Sequence, residues 1–230
     1  MGLQLYLVRH GRTEYNEAGR LQGWRDAPLT PQGRAVAEQL GKALGAASIV
    51  FDAAFASTSP RAETTARLIL ENKGQEDLPL HKIADLREYS FGSFEGELIA
   101  DVYRQVAQNS GAQDVETWLA NYRTAEHNLL IESVSRMDAE GKAETEAAFL
   151  SRLSQGMAEL VSKSPEEGKV LLVSHGMAIT ALLKLIDPGS TPYQSVPNAS
   201  VSRLDYENGV WRILSVGDTS FVGNSTPETL

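Results

Sequence analysis

LYLVRHGRTEYN, residues 5–16, runs four consecutive apolar side chains straight into Arg9, His10 and Gly11. A short apolar run of this kind is the pattern of a strand buried on both faces, as in a parallel sheet covered by helices. The Arg and the His at its end then sit where core gives way to rim. A second stretch, VLLVSHGMAI at 170–179, repeats the design and ends at His175 and Gly176. Two strands that each deliver a His-Gly to their carboxyl ends imply one site fed from two places.

Working outward, LTPQGRAVAEQLGKAL predicts a helix with Thr30 as N-cap and Pro31 at its first position. FDAAFAS reads as a second strand ending in Ser57, followed by a helix at SPRAETTARLIL with Ser59 as cap and Arg61 in its first turn. LHKIADLRE reads as a short strand leading to Glu88. AFLSRLSQGMAELVSK has helical spacing, and MAITALLKLI is apolar all round, as expected of a helix pressed onto a sheet. ASVSRLDYENGVWRILSV reads as a hairpin turning at Asn208-Gly209. Residues 97–145 show weak periodicity and scattered charge, and are expected to form an irregular, partly helical insertion, least ordered over NLLIESVSRMDAEGKAE. Tyr103, Trp118 and Tyr122 within it are read as a small satellite core rather than a lid. The expectation is an α/β fold, with three α/β/α layers around a mostly parallel central sheet. It forms one domain over 1–222, followed by a polar tail at 223–230.

Bulk properties narrow the function. The 230 residues are 42% hydrophobic and 22% charged, with net charge −9 and an isoelectric point near 5.0. That balance argues against nucleic acid or an acidic membrane as partner, so any anion site must be a local gathering of Arg and His. The chain has no cysteine, which excludes disulfides, thiolate nucleophiles and Cys-ligated metal, and suits a reducing compartment. No secretory leader or membrane-length apolar run is read, so the expected location is cytoplasmic. Oligomeric state is not legible.

In open α/β sheets ligands bind beyond the carboxyl ends of the strands. Arg9-His10, Ser57 to Arg61 and Ser174-His175 all belong at such ends. Arg9 and Arg61 offer permanently charged forks that match tetrahedral oxyanions, and Arg61 adds a helix first turn. His10 and His175 supply a nucleophilic nitrogen or a donor. Nearby guanidinium groups favour the neutral form of His10. Glu88 is the candidate general acid. The set suits phosphoryl transfer, which asks for positioning, charge neutralisation and an acid for the leaving oxygen. His81 and His127 have no motif around them and are read as structural or exposed, while Trp24 is compatible with either pocket or core.

LVRHGRTEYN, RLQGWRDAPLTPQG, STSPRAETTA, LREYSFGSFEG and LLVSHGMAI, in that order, resemble the motifs of the histidine phosphatase superfamily. The likeness is to the branch containing cofactor-dependent phosphoglycerate mutases and their phosphatase relatives, and it spans nearly the whole chain apart from 97–145 and the tail. It implies a phosphoglycerate mutase-like fold, with His10 as the nucleophile that becomes phosphohistidine. Arg9, Arg61 and His175 then surround the phosphoryl group, and Glu88 serves as proton donor and afterwards as base. Asn16 adds a contact to phosphate, with Thr13 and the Gly176 backbone as further contacts, and Gln22 and Gly23 shape the substrate's approach. The resemblance implies no metal and no cofactor.

Three departures from the mutase pattern favour a phosphatase acting on a small phosphorylated metabolite. Mutases of the branch follow the acid with Glu-Arg-His-Tyr-Gly, whereas Glu88 here precedes Tyr89-Ser90-Phe91-Gly92 and then Phe94-Glu95-Gly96. Their insertion carries a paired-Arg, Pro-rich segment, and 97–145 has neither an Arg pair nor a proline. Met177 stands where they place Asn. The alternatives are a cofactor-dependent phosphoglycerate mutase and, in a different class, a protein that binds a phosphorylated ligand without turning it over.

Overall fold

In the computed structural model, residues 2–223 are described. In chain order the elements are β1 (Leu3–Arg9), the short α1 (Glu14–Glu17), α2 (Pro31–Ala46), β2 (Ala53–Ser57), α3 (Pro60–Lys73) and β3 (Leu80–Ile83). Then come α4 (Ile99–Asn109), α5 (Val115–Thr124), α6 (Leu129–Met137), α7 (Glu146–Lys163), β4 (Gly168–Ser174), α8 (Gly176–Ile186), β5 (Val201–Glu207) and β6 (Val210–Asp218). The strands form one sheet in the order β3-β2-β4-β1-β5-β6. The β3, β2, β4 and β1 neighbours pair in parallel, and β5 and β6 are antiparallel.

Alternation along the strands builds two cores. Leu5, Leu7, Phe55, Val170 and Leu172 face one side, where Phe149, Leu153 and Leu160 of α7 and Ile179 of α8 cover them. Tyr6, Val8, Ala54, Ala56, Leu171 and Val173 face the other, against Leu40 and Leu44 of α2 and Ala66 and Ile69 of α3. The four-residue apolar run of β1 is buried throughout because each face has its own helical layer. Asn208 and Gly209 both take positive φ, 52° and 81°, in the turn of the β5–β6 hairpin.

Local signals act as their chemistry dictates, with two differences. The Thr30 hydroxyl accepts from Gly33 N at 2.9 Å and caps α2. Ser59 occupies the N-cap position of α3 but makes no side-chain cap bond. The larger difference lies at 97–145: the insertion is partly helical as expected, but its helices are three regular ones and account for most of it. Asp114 caps α5 through Thr117 N at 2.7 Å, and Asn128 caps α6 through Ile131 N at 3.0 Å. The stretch expected to be least ordered thus contains α6. Its buried Leu130, Ile131 and Val134 lie at helical spacing that nine residues make too short to stand out. Nor do Trp118 and Tyr122 form a satellite core: they belong to the same apolar cluster as the sheet face of Leu5 and Leu7. Of the polar tail at 223–230, Gly223 alone lies among the described residues.

Candidate active site

The sheet order sets the site. With β2, β4 and β1 side by side, Arg9 registers with Ser174 and His10 N donates to Ser174 O at 3.0 Å. The two histidines emerge together, their ring centroids 5.3 Å apart, and the end of β2 brings Ser57 beside them. The 187–200 connection straps this corner. Arg9 Nη1 donates to Val196 O at 2.6 Å, and Asn198 Nδ2 donates to His10 O at 2.9 Å.

His10 is buried, 3% exposed, and its tautomer follows from its partners. Nδ1 lies 2.8 Å from Gly11 O, and a carbonyl can only accept, so Nδ1 carries the proton. Arg61 Nε donates to Nε2 at 3.3 Å, and a guanidinium can only donate, so Nε2 presents a lone pair. Burial, then the charges of Arg61 and Arg9, hold the imidazole well below its usual pKa and keep it neutral.

Arg61 is 1% exposed and its guanidinium is saturated. Besides His10 it donates to Asp26 Oδ1 at 2.8 Å, Arg25 O at 3.1 Å, Gly23 O at 2.8 Å and Gln22 O at 3.5 Å. The loop that holds it is itself held by Glu95, whose carboxylate accepts from Gly23 N, Trp24 N, Arg25 N and Phe91 N at 2.7–3.2 Å. A side chain on residue 23 would collide with Tyr89 O and the Glu95 carboxylate, so the close approach requires glycine there.

Glu88 is also buried. Its Oε1 accepts from Tyr89 N at 2.9 Å and Ala178 N at 3.0 Å, while Oε2 accepts from Met177 N at 2.9 Å. Two N–H groups fill Oε1, so a proton on this carboxyl belongs on Oε2. Desolvation raises its pKa, against the backbone bonds and the charges of Arg61 and Arg9. Arg87, its sequence neighbour, does not pair with it but lies 4.5 Å over the Trp24 ring, while Trp24 Nε1 donates to Glu88 O at 3.0 Å. Trp24 is 46% exposed and clips the 22–26 loop to Glu88, so it fills neither core nor cavity.

His175 is fully buried. Its Nε2 is 2.6 Å from Ser57 Oγ, and Nδ1 has no partner among the described residues. Burial, then Arg61, His10 and further guanidinium charge, keep it neutral.

Arg9, His10, Asn16, Gln22 and Glu88 line a cavity of about 370 Å³. Its farther walls include Tyr103, Tyr122 and Arg123 from the 97–145 helices, together with Arg20 and Tyr193. The insertion therefore shapes the cavity as well as the core. Thr13 and Gly23 stand behind it. The Thr13 hydroxyl donates to Gln22 Oε1 at 2.6 Å, and Gly23 holds Arg61. Gly176 opens α8, with Ser195 packed where a side chain would project. Met177 of the same turn reaches the cavity. His81 is exposed on β3, and exposed His127 pairs with Glu132 at 2.8 Å.

Sequence reasoning did not identify Asp26, Glu95, Asn198 or Tyr193. Asp26 and Glu95 lie in the quoted motifs, and buried arginine donors need such acceptors. Nothing local marks Asn198 or Tyr193.

The profile of the histidine phosphatase superfamily (branch 1) matches residues 5–219. The chain belongs to that superfamily. Within it, a 2,3-bisphosphoglycerate-dependent phosphoglycerate mutase of Bartonella quintana is 43% identical over 128 residues, 56% of this chain and 60% of that protein. The chain thus matches less than two thirds of that relative's length. The crystal structure of a phosphoglycerate mutase from Bacillus anthracis superposes with TM-score 0.89 at 35% identity, covering 96% of this chain and 95% of the other. The α-ribazole phosphatase of Shigella flexneri superposes with TM-score 0.66 at 25% identity, covering 94% and 97%. The superfamily relatives therefore carry both activities, and the six-stranded, mostly parallel sheet is their fold.

Proposed function

We propose that the protein is a metal-independent phosphomonoesterase working through a phosphohistidine at His10, on a small phosphorylated metabolite. The observation that carries this reading is the state of His10: buried, neutral, its proton fixed on Nδ1 by Gly11 O, its Nε2 lone pair turned to the Arg61 guanidinium. In the first step Nε2 gives up its Arg61 contact and attacks phosphorus, forming the N–P bond. The bond to the leaving oxygen breaks, and Glu88 Oε2 passes its proton to that oxygen. In the second step ionised Glu88 takes a proton from water as the water oxygen attacks phosphorus. The N–P bond breaks, inorganic phosphate leaves, and Glu88 is again protonated. Arg9, Arg61 and His175 balance the equatorial charge, and Asn16 and Gln22 face the ester from the cavity wall.

The mutase reading shares the covalent step and differs in returning the phosphoryl group to a rebound intermediate. It is favoured by Arg20 and Arg123, two further cations in the cavity wall suited to a second anionic group, and by the names of the relatives at higher identity. Against it stand Met177 and the tyrosines of the same wall.

Phosphate release from a panel of phosphomonoesters including 3-phosphoglycerate, with EDTA present, tests the proposal. Release by the wild type and its loss, by about three orders of magnitude or more, in His10→Ala is expected. Isomerised phosphoglycerate without free phosphate would establish the mutase instead. Full activity in His10→Ala would overturn the mechanism.

A further inference from the structure

Ser57 ends β2 with its side chain fully buried, and two contacts account for its hydroxyl. Ser59 N donates to Oγ at 3.3 Å, a contact that uses an oxygen lone pair because a backbone N–H can only donate. The other partner is His175 Nε2, 2.6 Å away. A neutral imidazole carries one proton on one of its two nitrogens, and the two placements differ in what they leave unmatched. If Nε2 held the proton, Ser57 Oγ would accept twice and its own O–H would be buried with no acceptor, a costly state. If Nδ1 holds it, the Ser57 O–H is spent on Nε2 and the chain from Ser59 N through Oγ to Nε2 closes. One donor is then left over, Nδ1–H, which has no partner among the described residues and belongs to a ring lying 5.3 Å from that of His10.

We propose that Ser57 is a positioning residue that locks His175 in its Nδ1–H tautomer, so that the remaining donor of His175 is reserved for an oxygen of the group transferred to His10. The two histidines then have the same tautomer for opposite purposes. At His10, Gly11 O takes the Nδ1 proton and frees Nε2 to attack. At His175, the Ser57 hydroxyl occupies Nε2 and frees Nδ1–H to donate. Which ring nitrogen of a histidine carries the proton is set by the hydrogen bond the other nitrogen makes, and at His175 that bond is the one from the Ser57 hydroxyl. The catalytic half of this proposal rests on the phosphohistidine reading above; the tautomer itself does not.

Long-range ¹H–¹⁵N correlation spectra of the uniformly labelled full chain at neutral to mildly alkaline pH test it. The four histidines are assigned by single substitution. In the wild type, His175 Nδ1 is expected to be pyrrole-like and Nε2 pyridine-like. In Ser57→Ala the pattern should mix or reverse, and turnover should fall about ten- to hundredfold, the range seen when the outer partner of a functional histidine is removed. Ser57→Thr, which keeps the hydroxyl, should restore both. A wild-type His175 protonated at Nε2 overturns the proposal, and this spectrum decides even where a variant does not fold. A Ser57→Ala enzyme that loses turnover while His175 stays Nδ1–H would also overturn it, leaving Ser57 a packing residue. A wild type that releases phosphate from no ester would count against the phosphatase reading alone, because the spectrum reads the tautomer without substrate.

Discussion

Burying two imidazoles among guanidinium groups ties stability to pH. His10 and His175 are both held below their usual pKa of 6.5, first by burial and then by Arg61. Between the folded and unfolded values the unfolded chain binds more protons, so stability rises with pH there. It is fully present above about pH 6.5 and is lost as pH falls below that, by at most about 1.4 kcal/mol per pH unit for each ring. Glu88, raised by desolvation, works in the opposite sense, one carboxyl against two imidazoles. The thermal unfolding midpoint is therefore expected to fall as pH is lowered from 7.5 to 5.5. A His10→Gln, His175→Gln double variant should lose most of that slope, and an unchanged slope would contradict the burial assigned to these rings. At this scale the chain was legible where chemistry is local: an Arg-His-Gly after an apolar strand already places His10 and Arg9 on a rim. The orientation of Arg61 was not legible. Its sequence signal is the first turn of α3, whereas four of its five donors are claimed by the carbonyls of Gln22, Gly23 and Arg25 and by Asp26 across a loop.

Among the elements, α6 separates what periodicity can and cannot disclose. Nine residues offer barely two and a half turns, and the charges of Glu132 and Arg136 break the apolar pattern around Leu130, Ile131 and Val134. The inner strands β1 and β4 and helix α8 are read easily because burial keeps runs such as Leu5–Val8, Val170–Val173 and Ala181–Leu183 free of polar residues. Asn128 performs two tasks in this segment, capping α6 and lining the cavity. Ile131 is 1% exposed and belongs to the same cluster as the sheet. Ile131→Ala is accordingly expected to cost about 2–5 kcal/mol and to lower the midpoint of a single transition by roughly 4–20 °C. A separate early transition for 97–145, with the main one unmoved, would show instead that the insertion is an independent unit.

For the whole molecule, a net charge of −9 coexists with a cavity whose wall carries Arg9, Arg20 and Arg123 against one carboxylate, Glu88. Local concentration of guanidinium groups, rather than overall charge, is what suits the cavity to an anion. The sheet order supplies only Arg9, at the end of β1 beside the ends of β4 and β2, while Arg123 is brought in by α5 and Arg20 by the loop after α1. Among the described residues, no helix is long and apolar enough to cross a membrane. The proposed mechanism requires His10 Nε2 to become covalently phosphorylated, and trapping that bond tests it. The enzyme is mixed with a phosphomonoester it turns over, quenched rapidly in base, and the peptide containing residue 10 is analysed by mass spectrometry. A phosphoryl group on His10 that is stable in base, labile in acid and missing from His10→Ala is expected. An enzyme that turns over the ester while the trapped peptide stays unmodified, or carries the group on another residue, would contradict the mechanism.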